Sequence, residues 1–214
     1  MLAEVSQCPA ELSVRGKAGI PRWADVTIAV LALIFLAPAI AVIGVAIALT
    51  SGTPVVFTQW RVGLNGEWFK IYKLRTMRVS VDGPQITSRN DGRVTRLGRL
   101  LRQAKLDELP TFWNVLRGDM SLVGPRPEVP AYVNLSDPCW RLILSVRPGL
   151  TDPITVSLRN EEDLLAQAGP NAEAFYVSQL QPAKLRGYID YLQQRTVRSD
   201  VVVLFRTMAE IIRH

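Results

Sequence analysis

Histidine is nearly absent from this 214-residue sequence, and its single copy, His214, stands at the last position. A mechanism that relies on a firmly held imidazole as base, triad member or metal ligand is therefore not expected. Cysteine is almost as scarce: Cys8 and Cys139 lie far apart with no Cys-x-x-Cys pair. Neither a disulfide framework nor a dithiol redox motif is indicated, and a reducing, cytosol-facing setting fits. Also missing are a Gly-x-x-x-x-Gly-Lys-Ser/Thr loop, a Gly-x-Gly-x-x-Gly fingerprint, an Asp-x-Asp metal motif and any internal repeat. Charge is missing from one stretch only. Val26 to Leu49 is a run of 24 uncharged residues in a chain that is otherwise 21% charged, 48% hydrophobic and net +6, with a length that suits one or two domains.

That run would make roughly 36 Å of helix against a hydrocarbon core of about 30 Å. It is longer than a signal-peptide h-region, and a buried core helix with no polar stripe over so many turns is rare. Pro38 sits near its centre, where proline removes a hydrogen bond and bends a helix. Spanning helices tolerate proline, so Pro38 alone leaves a plain crossing open. The flanks favour a different topology. Arg15, Lys17 and Arg22 precede the run and Arg61, Lys70, Lys73, Arg75 and Arg78 follow it, so both ends carry the charge of a cytoplasmic side. A re-entrant helix-break-helix that enters, bends at Pro38 and returns satisfies both flanks.

Between Trp60 and Arg117 there are 12 Lys or Arg against 5 Asp or Glu, so the whole positive excess lies directly after the apolar run. Such cations are drawn to anionic headgroups by about 1 kcal/mol each and can also hold a phosphorylated substrate. No zinc-finger, basic-zipper or RNA-recognition signature accompanies them, so nucleic acid is not expected as a partner.

Val55 to Val62 and Glu67 to Leu74 are rich in β-branched and aromatic residues around a Gly63-Leu64-Asn65-Gly66 turn, which predicts a β-hairpin. Its Trp60, Trp68, Phe69 and Tyr72 suit either headgroup level or hairpin core. Gln85 to Gly92 reads as loop. Thr95 can cap a short basic helix with Leu97, Leu100 and Leu101 on one stripe, a candidate interfacial helix. A second helix is expected from Glu108 to about Leu116, with Asp107 as N-cap, Pro110 in the first turn and Leu109, Phe112, Trp113 and Leu116 on one stripe. The segments Gly124 to Pro127 and Arg147 to Pro153 read as rigid proline loops. Glu161 to Ala168 and Pro182 to Gln194 look helical, the Glu161-Glu162-Asp163 run being a solvated face. Ser199 can cap a last helix whose Val201, Leu204, Phe205, Met208, Ile211 and Ile212 make an apolar stripe, more often core than membrane contact.

Asp107-Glu108 stands out as an acidic pair inside the basic region. An aspartate N-cap followed by a first-turn glutamate is the structural explanation. The chemical one is that, with histidine lacking, a carboxylate can attack phosphorus and form an acyl phosphate if nearby cations mask the phosphate charge. Arg126, fixed between two prolines, is the best-held arginine for that task; as a surface turn residue it would instead pair with an acid.

Lys73-Leu74-Arg75-Thr76-Met77-Arg78, Asp107-Glu108-Leu109-Pro110, the run Trp113-Asn114-Val115-Leu116-Arg117-Gly118-Asp119-Met120-Ser121-Leu122-Val123-Gly124-Pro125-Arg126-Pro127, and Arg147-Pro148-Gly149-Leu150-Thr151 together resemble the bacterial sugar transferase family of monotopic phosphoglycosyl transferases. The match runs in order from about Trp23 to the C-terminus. The resemblance implies transfer of a sugar-1-phosphate from a UDP-sugar to undecaprenyl phosphate, with UMP released, as the first membrane step of a surface glycan. It implies Asp107 as the nucleophile and a Mg²⁺ contact, Glu108 as its partner, and Arg126 as a phosphate ligand, with Lys73, Arg75 and Arg147 from the flanking motifs as further phosphate-binding candidates. Pro38 maps onto the family's helix break. Three departures stand out: Ala37 before Pro38 where the family often has Ser, Thr111 after Asp-Glu-Leu-Pro where it often has Gln, and Asp152-Pro153-Ile154-Thr155 where many members have Gly, an aromatic or small residue, and Ala-Gln.

The expected architecture is an N-terminal extension (1–22), a proline-broken re-entrant membrane helix (23–51) and a compact α/β catalytic domain (52–214), mostly helical with a small antiparallel β-hairpin. It would sit at the cytoplasmic face of the inner membrane, touching lipid; a homo-oligomer is compatible with these residues. A membrane-anchored adaptor derived from the family without catalysis is the alternative, and a tethered nucleic-acid binder a more distant one.

Overall fold

The computed structural model describes residues 19–79, 86–87, 91–154 and 161–213. Most of the 1–22 extension, Cys8, half of the Gln85–Gly92 stretch, Thr155 and His214 lie outside the described residues, as do the side chains of Ile211 and Ile212. The described fold is mostly helical around one antiparallel hairpin.

Helix α1, Arg22–Ser51, is a single helical run with Pro38 inside it. Two helices separated at Pro38 were expected; a proline tilts a helix axis while the dihedrals on either side stay helical. Among the described residues it is the one helix long and apolar enough to cross a membrane. It is buried only at Asp25, Ala29 and Ile47, near its two ends. At the first end Arg22 donates to the carbonyls of Val115 (2.5 Å), Leu116 (3.1 Å) and Met120 (3.2 Å). The Asp25 carboxylate accepts from the Ser121 hydroxyl (2.8 Å) and the Leu122 N–H (3.1 Å). Buried Asp200 also holds the entry to the helix, accepting from the Ile20 N–H (3.0 Å), the Tyr191 hydroxyl (2.6 Å) and Arg195 (3.1 Å). At the other end Ile40, Ile43 and Ile47 pack with Leu74, Leu97 and Leu101.

The hairpin is as the turn chemistry predicts. Strands β1 (Val56–Val62) and β2 (Trp68–Leu74) pair antiparallel from Val56↔Leu74 to Val62↔Trp68, around a turn in which Asn65 (φ 56°) and Gly66 (φ 84°) take left-handed conformations. Trp60 and Trp68 are exposed on the outer face and Phe69 is buried on the inner one. The proline loops hold a pairing that was not expected: β3 (Ser121–Val123) lies parallel to β4 (Gly149–Thr151). Only glycine permits this approach, because a Cβ on Gly149 would stand 2.1 Å from the Gly124 nitrogen and 2.4 Å from the Thr151 oxygen. Gly149→Ala is therefore expected to destabilise the fold by about 3 kcal/mol, at the upper end of overpacking costs, because backbone rather than a flexible side chain would have to move; urea unfolding measures this.

Helix α2 (Arg96–Gln103) has the expected cap, the Thr95 hydroxyl accepting from the Gly98 N–H at 2.9 Å. Leu97 and Leu101 face inward but Leu100 is 64% exposed. The helix is turned by Gly98, whose close contact is the Thr76 backbone. The helix expected from Glu108 is instead a 3₁₀ segment, Leu106–Thr111, followed by a short α3, Phe112–Arg117. Asp107 lies inside the 3₁₀ segment and caps nothing, and the core side of α3 is Asn114 and Val115 while Trp113 is exposed. The cause is docking: Asn114 bonds the Tyr72 N–H (3.1 Å) and the Lys70 carbonyl (2.7 Å), and the Thr111 hydroxyl donates to the Tyr72 carbonyl (2.9 Å). Two side chains thus take the place of a neighbouring strand along β2.

After α4 (Pro138–Ile143), helix α5 (Glu161–Ala168) forms where predicted; a short α6 (Ala172–Phe175) and a π-turn (Tyr176–Leu180) lead into α7 (Gln181–Gln194). The last helix, α8 (Val197–Arg213), is capped by Thr196, its hydroxyl accepting from the Ser199 N–H (3.0 Å) while Ser199 returns the bond. Its inner face carries Asp200 and Thr207, fixed by their polar contacts, and Val203, packed in the core. The stripe expected as core is turned outward at Phe205 (68% exposed) and Met208 (57% exposed).

Candidate active site

Strand β2, the 3₁₀ segment and the loop after β3 meet at a small cleft lined by Arg61, Lys73, Glu108, Thr111, Arg126 and Leu150 among others. At its centre one oxygen of Glu108 accepts from Lys73 Nζ at 2.6 Å and from Arg126 Nη2 at 2.5 Å. Lys73 reaches it from the inner face of β2, which Asn114 and Thr111 lock against the segment bearing Glu108. Arg126 reaches it from the loop that the β3–β4 pairing holds, with the Gly149 N–H donating to the Pro125 carbonyl at 2.9 Å.

Burial pushes the Glu108 carboxyl up, but Arg126 and Lys73 outweigh it and hold the group well below the usual carboxylate range. Glu108 and then Asp152 push the Arg126 guanidinium upward against burial. Lys73 is lowered by burial, a shift that Glu108 opposes. Asp107 behaves oppositely to its neighbour. It is 8% exposed, and burial followed by the Glu108 charge raises its carboxyl, with Lys73, Arg102 and Lys105 pulling the other way. No hydrogen bond reaches its carboxylate among the described residues, so both oxygens remain uncommitted.

The site thus brings together Lys73, Glu108 and Arg126 with Asp107 alongside. Arg75 and Arg147 are elsewhere. Arg75 is buried under the hairpin, donating to the Ser51 (2.6 Å) and Gly52 (2.5 Å) carbonyls at the end of α1. Arg147 is exposed and donates to the Gly118 carbonyl (2.9 Å). Two cations were not singled out from the sequence: Arg61 in the cleft, and Arg102, which donates to the Thr76 hydroxyl (2.9 Å) and acts electrostatically on Asp107. Their only signal was membership of the basic stretch.

A divalent cation fits this donor set in one form. No group of three or more His, Cys, Asp or Glu side chains gathers among the described residues, so there is no all-protein cage. The uncommitted oxygens of Asp107 are hard ligands, and Mg²⁺ commonly takes one or two carboxylates together with substrate phosphates and water.

The family model described as bacterial sugar transferase matches residues 16–214. The chain belongs to this family. It is 39% identical over 196 residues, 89% of this chain and 69% of the relative, to the UDP-glucose:undecaprenyl-phosphate glucose-1-phosphate transferase of Caulobacter vibrioides. The Escherichia coli (strain K12) protein of the same description is 34% identical over 196 residues, 88% of this chain and 39% of that one. The exopolysaccharide production protein ExoY of Sinorhizobium fredii is 32% identical over 204 residues, 87% and 83% of the two chains. This sugar transferase family member therefore spans well under half of the Escherichia coli relative and most of the other two.

Proposed function

We propose that this chain transfers a sugar-1-phosphate from a UDP-sugar to undecaprenyl phosphate in two steps, at the cytoplasmic face of the inner membrane, as an initiating step of surface-glycan assembly. The observation that carries the reading is the Lys73–Glu108–Arg126 cluster beside a buried Asp107 with uncommitted oxygens. In the first step an Asp107 oxygen attacks the phosphorus bearing the sugar; the bond from that phosphorus to the bridging oxygen breaks and UMP leaves with the bridging oxygen. In the second, an oxygen of the lipid phosphate attacks the same phosphorus, giving the lipid diphosphate sugar and regenerating Asp107. Lys73 and Arg126 orient the phosphates and offset their charge. Bound Mg²⁺, held by Asp107 with the substrate phosphates, would supply further charge neutralisation. Incubating the purified chain with a panel of UDP-sugars and Mg²⁺ but no lipid should release UMP and leave a phosphosugar mass on Asp107; no release with any donor would sink the reading and favour the adaptor.

The membrane assignment rests on α1. Both of its ends bond to the same domain, through Arg22 and Asp25 at one and Arg75 at the other, while Ile34, Phe35 and Val42 between them are exposed. This supports a re-entrant path bent at Pro38 rather than a crossing. The outward Phe205 and Met208 of α8 would then rest against lipid, as would Leu100 of α2. A membrane-impermeant thiol reagent added to sealed vesicles should reach Cys8 and Cys139 from the same face. Labelling from opposite faces would establish a crossing instead.

A further inference from the structure

We propose that Arg61 is a third phosphate-binding cation of the cleft, held in place by Glu128 and Tyr176; this rests on the transferase reading above and adds a donor-binding residue to it. In the β1–β2 register Arg61 stands opposite Phe69, so it projects from the same inner face as Ile71 and Lys73 and lines the cleft with Lys73 and Arg126. Its Nη1 donates to the Pro127 carbonyl (3.0 Å) and its Nη2 to the Gln59 side chain (2.7 Å). The first bond ties its guanidinium to the residue next to Arg126.

Arg61 Nε is buried and has no hydrogen-bond partner among the described residues; Arg75 Nε and Nη1 share that condition, but Arg75 does not line the cleft, whereas Arg61 does. A guanidinium N–H without an acceptor, in a cleft that already holds two other cations, suits an oxyanion with several oxygens, and a diphosphate is the anion the proposed donor brings.

Glu128 keeps the arginine from swinging away. Its carboxylate lies 3.6 Å from Arg61 Nη1 and accepts a short hydrogen bond from the Tyr176 hydroxyl. The Val62 N–H donates to the Glu128 carbonyl (2.9 Å), joining β1 to the Arg126 loop. Tyr176 is itself packed with Leu165 and Leu180. Through these contacts Glu128 and Tyr176 are positioning residues acting through Arg61.

The test is calorimetric binding of UDP and of inorganic pyrophosphate to the full chain in nanodiscs, with thermal unfolding to verify each variant. Arg61→Gln should weaken both probes at least tenfold, Arg61→Lys by less, and Glu128→Gln or Tyr176→Phe by several-fold, while Arg141→Gln on exposed α4 surface leaves them unchanged. Wild-type affinity in Arg61→Gln overturns the proposal; if that variant does not fold, wild-type affinity in Arg61→Lys overturns it equally. A wild-type chain that binds UDP in this Arg61-dependent way but releases no UMP from any UDP-sugar would refute the transferase reading and leave the role of Arg61 in place.

Discussion

An Asp107→Asn protein should release UMP from a UDP-sugar on the order of 10⁴-fold more slowly than wild type, or slower still, carry no phosphosugar, and yet unfold at a higher temperature. The first effect follows from nucleophilicity. An amide oxygen cannot form the acyl phosphate, and Glu108, the carboxylate that lines the cleft, is bound to Lys73 and Arg126. The second follows from linkage. Burial and the Glu108 charge raise the Asp107 carboxyl in the folded state. Full stability is therefore present below the unfolded value of about 3.9 and is lost as pH rises through the higher folded value. Asparagine of the same shape removes that loss, a gain of about 1 kcal/mol by analogy with other relieved functional sites. At roughly 2–4 °C per kcal/mol for a chain of this size, a melting curve resolves it. The gain should vanish at pH near 3 and be full at pH 7. Unchanged turnover would refute the nucleophile, and a lower melting temperature at pH 7 would make Asp107 a structural residue.

What the sequence made legible was local. The hairpin, α5, α7 and the Thr95 cap each follow from a turn, a period or a capping residue within a few positions, and all formed where expected. What was not legible depends on contacts far along the chain. The β3–β4 pairing joins strands of three residues, too short for a period, and its one local sign is a glycine at each point of contact. The inward face of α8 was misjudged because hydrophobicity alone set it, and the leucine stripe of α2 divides between core and surface. Gly98 must meet the Thr76 backbone and Asp200 must meet Ile20, Tyr191 and Arg195, and these constraints outrank an extra leucine or phenylalanine at the core. In the site, Lys73, Glu108 and Arg126 could be read from their motifs. Arg75 and Arg147 come from equally recognisable motifs, but their guanidiniums serve backbone carbonyls. Composition also concealed Asp25, which marks the edge of the uncharged run and is buried as an anchor for β3.

Glu108→Gln should lose both stability and transfer, for one reason. The Glu108 carboxylate is the shared partner of Lys73 and Arg126, and an amide leaves two largely enclosed cations without their counter-charge. Breaking a fully buried pair costs roughly 3–5 kcal/mol, and the 35% exposure of the Arg126 side chain reduces the expected loss here to about 2 kcal/mol. The pH dependence has the opposite sign to that of Asp107. The Glu108 carboxyl is held well below its ordinary value. The stability it confers is present above the unfolded value of about 4.3 and is lost only as pH falls through the lower folded value. The wild-type advantage should thus be level from pH 8 to pH 5 and persist at pH 4, where an ordinary glutamate is largely protonated. UMP release should fall by about 10²–10³-fold, the range seen when a preorganised charge-stabilising group is lost. Removing the Glu108 charge also removes one cause of the raised Asp107 carboxyl and frees Lys73 to act on it, so the acid limb of UMP release should move to lower pH. An acid limb that stays in place while the rate falls would mean that Glu108 serves catalysis without setting the charge of Asp107; an unchanged melting temperature would mean that Lys73 and Arg126 do not depend on it.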